Sequence, residues 1–132
     1  MIDAIAGSTY VAHTASPFVM TVTKENKDDL IKPAVEGTLA ALEGAKAAGC
    51  KRVVVTSSMA SVMFTAEANK PADLVWRENH WSDPDRPEGM NPYLESKTLA
   101  ERAAWKFVED LAEGEKFELV TVNPCFILGP AT

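Results

Sequence analysis

The chain has 132 residues, 46% of them hydrophobic and 24% charged, with a net charge of −6. That is enough for one small globular domain. The acidic balance, without a concentration of basic residues, argues against nucleic acid or an anionic membrane surface as the main partner, and no apolar run is long enough to span a bilayer.

Ser8 to Thr14 reads as a strand centred on Tyr10, Val11 and Ala12, closed by Ala15-Ser16-Pro17. Met20 to Asn26 reads as loop. Lys27 to Ala48 reads as a helix, because Leu30, Ile31, Ala34, Val35, Thr38, Leu39, Leu42 and Ala45 recur at three-four spacing. Gly49 is a suitable C-terminal stop. Pro33 falls in the first two turns, so it either occupies a first-turn position or shifts the start toward Leu30. Lys51 to Ser58, a β-branched run ending in hydroxyls, reads as a buried parallel strand. Thr65 to Met90 is irregular, with Pro71, Pro84, Pro87 and Gly89 among many charges. A connection of that length inside a compact domain is either functional or disordered. Within it, Asn79 to Asp83 reads as a packed turn anchored by Trp81. Pro92 to Leu111 reads as a second long helix, with apolar residues on more than one side, which calls for packing against both a sheet and another helix. Gly114 ends it. Phe117 to Pro124 is a further strand, and Gly129-Pro130 marks a turn or an end.

The second helix opens with Tyr93-Leu94-Glu95-Ser96-Lys97. A phenol and an ammonium four residues apart share one helix face, one turn apart. A lysine charge about 4 Å away, at an effective dielectric of about 20, is worth roughly 4 kcal/mol, close to three pKa units. That brings a phenol of ordinary pKa about 10 toward the pH at which a general acid or base works best. The strand before it ends in Ser57-Ser58, and in open α/β sheets functional groups gather beyond the carboxyl ends of the strands. Hydride addition to a carbonyl builds negative charge on oxygen, and hydroxyl donors aimed at that oxygen stabilise it. The hydride itself must come from a cofactor, since no side chain supplies one.

Taken in order, His13-Thr14-Ala15-Ser16-Pro17-Phe18, Val35-Glu36-Gly37-Thr38-Leu39, Val55-Thr56-Ser57-Ser58, Trp81-Ser82-Asp83, Tyr93 to Glu101, and Asn123-Pro124 with Gly129-Pro130 resemble the extended short-chain dehydrogenases/reductases. The likeness is nearest to the branch of dihydroflavonol and cinnamoyl-CoA reductases. The resemblance implies an α/β fold, part of a Rossmann-like doubly wound parallel sheet with flanking helices. It implies an oxidoreductase that reduces a ketone or aldehyde with NADP, or else NAD. Tyr93 is then the proton donor or acceptor at the substrate oxygen, Lys97 lowers its pKa and holds the nicotinamide ribose, and Ser58 polarises the carbonyl, with Ser57 the rival for that role. Ala15, Ser57, Tyr93, Lys97 and Pro124 are the implied cofactor contacts. Epimerase or dehydratase chemistry on a nucleotide sugar shares the same triad, and a non-catalytic interaction subunit that keeps reductase-like residues is a further alternative.

The resemblance also exposes what these residues lack. The seven glycines are scattered, and none forms the glycine-rich strand-to-helix turn that carries the dinucleotide pyrophosphate in the family. Residues 1 to 132 are therefore expected to be the central part of one NAD(P)-binding domain. Cys50 and Cys125 read as buried free thiols in a reducing, cytoplasmic setting. His13 and His80 are far apart, and no metal site is expected. The first residues lack the positive flank of a signal peptide. The expected partners are a small carbonyl substrate and a second chain, met through the two long helices at Leu39, Leu42, Trp105 or Val108.

Overall fold

In this computed structural model, residues 1–18, 22–23, 25–85 and 90–129 are described. Parts of the expected loop before the first long helix, the 86–89 portion of the long connection and the turn at Pro130 lie outside them. Three strands, β1 (Tyr10–His13), β2 (Arg52–Thr56) and β3 (Glu118–Val122), form a parallel sheet in the order β1-β2-β3. A four-residue helix α1 (Ile2–Ile5) precedes β1. The two long helices, α2 (Asp28–Ala47) and α3 (Pro92–Glu109), are the crossovers between successive strands. This is the parallel α/β arrangement expected from the sequence.

The register explains which face is buried. Val11, Val53 and Leu119 are paired across the three strands, as are His13, Val55 and Thr121. Because side chains alternate along a strand, these two rows point to one face. Val53, Val55 and Leu119 pack there with Leu42 and Ala45 of α2, Ala104 of α3, Ile5, Cys50 and Phe117. Both helices thus lie on the same side of the sheet, against each other. The intervening rows, Tyr10–Arg52–Glu118 and Ala12–Val54–Val120, face the other way. Tyr10 and Val122 on that side are 64% and 47% exposed.

Local chemistry sets the helix ends. Asn91 caps α3, its side-chain oxygen accepting from Leu94 N at 3.0 Å, and Pro92 stands in the first turn, where its missing N–H costs nothing. Gly49, at φ +64°, takes the left-handed position that follows α2. The start of α2 lies one residue from the expected Lys27 and not at the alternative, Leu30. It begins at Asp28, leaving Pro33 inside the helix, where the proline nitrogen cannot reach the Asp29 carbonyl. Leu30 and Ile31 are buried in this stretch, Asp28 and Asp29 face the positive end of the helix dipole, and Lys27 Nζ meets Glu95 Oε1 of α3 at 2.7 Å. Tertiary contacts therefore hold a turn that local propensity would release.

Two expectations about surface residues need correcting. Leu42 is fully buried in the core, so it cannot meet a second chain. Part of the apolar surface of α3 is spent on α2 within the same chain. Cys125 is exposed, because the segment after β3 runs outward, while Cys50 is buried with Sγ 3.1 Å from the Ser8 carbonyl. No described helix is long and apolar enough to cross a membrane.

Candidate active site

The polar residues singled out in the sequence gather at the carboxyl ends of the strands. Ser57 and Ser58 follow β2 directly. The parallel pairing runs on past β3, with Ser57 N donating to the Val122 carbonyl at 2.8 Å and Met59 N to the Pro124 carbonyl at 3.0 Å. This strand-like continuation pins the backbone on either side of Ser58. Ser58 is extended, and its Oγ caps a short 3-10 turn (Met59–Ser61) by accepting from Ala60 N at 3.2 Å. α3 packs on that turn, with Thr98 Oγ1 donating to the Leu94 carbonyl and reaching the Ala60 carbonyl at 3.4 Å.

The two serines have different surroundings. Ser57 Oγ donates to Glu101 Oε2 at 2.5 Å and lies 2.9 Å from Ser61 Oγ. Its hydroxyl is engaged inward. Ser58 Oγ accepts from one backbone N–H, and its own proton has no acceptor among the described residues. Of the rival pair, Ser58 is the one with a donor to offer.

Tyr93 lies in the first turn of α3 and Lys97 one turn on. Lys97 Nζ is 5.8 Å from the centroid of the Tyr93 ring, within cation–π range. Phe18, from the segment after β1, meets the same ring edge-on at 5.3 Å and 87°. Lys97 is only 9% exposed, and among the described residues its ammonium has no hydrogen bond or ion pair. Burial holds its pKa below the ordinary lysine value. His13, buried at the end of β1, also has a lowered pKa, first from burial and then from the nearby Lys97 charge. In the sequence His13 opens the family-like His13–Phe18 piece, with no role of its own beside Lys97. Its place on the inward face of a strand, alternating with Ala12, was the available signal. Ala15 is exposed beyond β1, and Pro124 is half-buried beside the Ser58 turn.

The Trp81 turn supports this end of the sheet. Arg102 of α3 stacks on the Trp81 ring at 5.4 Å and donates to the Ser82 carbonyl at 2.9 Å. Ser82 is fully buried, its Oγ donating to the Ala60 carbonyl at 2.6 Å and accepting from Phe64 N at 2.8 Å. Ser82 thus ties this packed turn to the Ser58 turn, while Trp81 is held against α3 by Arg102. A separate depression of about 530 Å³, lined by Lys46, Cys50, Phe107 and Lys116, lies at the opposite end of β2 and β3. Its distance from Ser58, Tyr93 and Lys97 separates it from the chemistry. Among the described residues, no group of three or more His, Cys, Asp or Glu is placed to hold a metal.

Residues 1–132 match the model of the 3-beta hydroxysteroid dehydrogenase/isomerase family. The chain belongs to that family, within the extended short-chain dehydrogenases/reductases. It is 43% identical over 128 residues to cinnamoyl-CoA reductase CAD2 of Medicago truncatula, covering 96% of this chain and 37% of that protein. It is 40% identical over 127 residues to the NADPH-dependent methylglyoxal reductase GRE2 of Saccharomyces cerevisiae, covering 91% and 36%. The crystal structure of the yeast methylglyoxal/isovaleraldehyde reductase complexed with NADPH superposes with a TM-score of 0.73 at 37% identity, covering 93% of this chain and 38% of that one. Vestitone reductase from alfalfa gives 0.68 at 31% identity, covering 92% and 36%. This family member therefore spans little more than a third of the length of these relatives.

Proposed function

We propose that these residues are the central part of one NADPH-binding reductase domain that reduces a small ketone or aldehyde at Ser58, Tyr93 and Lys97. The observation that carries this reading is Lys97: a side chain only 9% exposed, its ammonium 5.8 Å from the Tyr93 ring centroid and without a hydrogen bond or ion pair among the described residues. Its three N–H donors fit a polyhydroxylated group such as the cofactor ribose. The NADPH-dependent methylglyoxal reductase among the relatives, and the neighbour crystallised with NADPH, support the same cofactor.

NADPH, when bound, supplies the hydride. Lys97 holds the ribose hydroxyls and keeps positive charge beside the phenol. Tyr93 delivers a proton to the substrate oxygen, and the free Ser58 proton reaches the same atom, so that developing negative charge meets two donors. Ala15, Pro124 and the backbone of Ser57 border the cofactor, the Ser57 hydroxyl being held by Glu101. The reductases among the relatives favour carbonyl reduction over sugar-nucleotide epimerisation. Contact with a second copy falls to Leu39 and Trp105, which keep outward surface on α2 and α3.

In the full-length protein, assayed with NADPH and methylglyoxal, Tyr93→Phe should lower kcat by about 10²–10⁴-fold, the usual share of a general acid. NADPH affinity, read by fluorescence titration, should stay nearly unchanged. Lys97→Ala should weaken both. Full turnover by Tyr93→Phe would overturn the assignment, and a full-length protein that does not bind NADPH would favour an interaction role.

A further inference from the structure

We infer that Glu101 and Asn123 form a buried clamp that positions Ser58, an inference that rests on reading Ser58 as the hydroxyl at the substrate oxygen. Glu101 is 4% exposed, and among the described residues no Lys, Arg or His pairs with it. Its carboxylate is met only by neutral donors: Ser57 Oγ at 2.5 Å, Asn123 Nδ2 at 2.8 Å and Trp105 Nε1 at 3.4 Å. Burying a carboxylate without a cationic partner is costly. Fold stability alone therefore gives a poor account of an acid here.

The geometry gives a better one. A carboxylate only accepts hydrogen bonds, so it forces the Asn123 amide to present its nitrogen rather than its oxygen. That same nitrogen lies 3.0 Å from the Ser58 carbonyl and 3.3 Å from Ser61 Oγ. The Ser58 carbonyl also accepts from Ser61 N at 3.0 Å and Ser61 Oγ at 2.7 Å. Glu101 thus fixes Ser57 directly and Ser58 through Asn123. Neither Glu101 nor Asn123 hydrogen-bonds Ser58 Oγ; both are positioning residues. Removing the carboxylate's demand for donors lets the Asn123 amide flip, which replaces a donor to the Ser58 carbonyl with an acceptor.

A double-mutant cycle in the full-length protein, with NADPH and methylglyoxal, tests the clamp. Glu101→Gln should lower kcat by about tenfold or more, as small misplacements of a catalytic group do, with the KM for NADPH within about twofold. In a Ser58→Ala background the same change should cost less than about twofold, because its effect runs through Ser58. Equal losses in both backgrounds, or no loss in the wild type, would overturn the clamp. Unaltered turnover by Ser58→Ala would instead remove the reading of Ser58 on which it rests. Should Glu101→Gln fail to fold, Asn123→Ala carries the same cycle with the same expected non-additivity. Amide exchange decides the matter without turnover. Protection at Met59, Ala60 and Ser61 should fall in the variant while Val53 and Val55 keep theirs, and an unchanged or uniformly lowered pattern would count against positioning.

Discussion

His13 and Lys97 are basic groups withdrawn from water at the same strand end, and each is held in its neutral form more readily than in solution. For His13, burial comes first and the Lys97 charge second. Its folded pKa lies below the unfolded 6.5. The unfolded chain therefore takes up the proton first as pH falls through that value, and the folded state loses stability below it. A His13→Gln variant should show a smaller drop in urea midpoint between neutral pH and about 5 than the wild type; an equal drop would mean other groups set the acid limit. The same scale shows what a one-dimensional reading could and could not deliver. Tyr93 and Lys97 were legible because helical spacing alone puts them on one face. The choice between Ser57 and Ser58 was not, since it depends on Glu101, 44 residues away from Ser57. Glu101 itself left a trace: a charge four residues after Lys97, on a stripe that continues to the buried Ala104.

At the level of elements, the hydrophobic periodicity of α2 and α3 and the β-branched run of β2 placed both helices and the middle strand within a few residues of their observed ends. At the start of α2 the proline left two readings open, Lys27 or nearer Leu30, and the longer one holds. Lys27 and Glu95 join across the two helices, while Pro33 pulls the other way. Replacing that proline should therefore stabilise the protein. Pro33→Ala restores an N–H to the Asp29 carbonyl and relieves the ring's crowding, against some loss of unfolded-state restriction, for a net gain of about 1–2 kcal/mol in denaturant melts. A lower midpoint would show that the proline instead supports a local bend the core requires.

The whole molecule presents two unlike surfaces. One side of the sheet is closed by α2 and α3. The other carries Tyr10, Val54, Val120 and Val122, with the Arg52–Glu118 pair, Nε to Oε2 at 2.7 Å, among them. An apolar, partly exposed sheet face invites association. Expressed alone, residues 1–132 should self-associate through it. Tyr10→Lys with Val122→Lys should suppress that association in sedimentation equilibrium, and Trp105→Glu should leave it. In the full-length protein, Trp105→Glu should be the change that weakens self-association. An isolated chain that stays monomeric at high micromolar concentration would refute the first part. The β-branched run of β2 marks a buried strand, but not which rows would stand bare. That needed the register.

The bond from Met59 N to the Pro124 carbonyl, with the Asn123 amide beside it, staples the run after β3 to the serine-bearing bend. Two stretches more than sixty residues apart are thereby made mechanically one piece. Phe126, Ile127 and Leu128, almost wholly bare to water just beyond the staple, form its free lever arm. A molecule that settled on that arm would load the bend as well, and the serine would feel an event it does not touch.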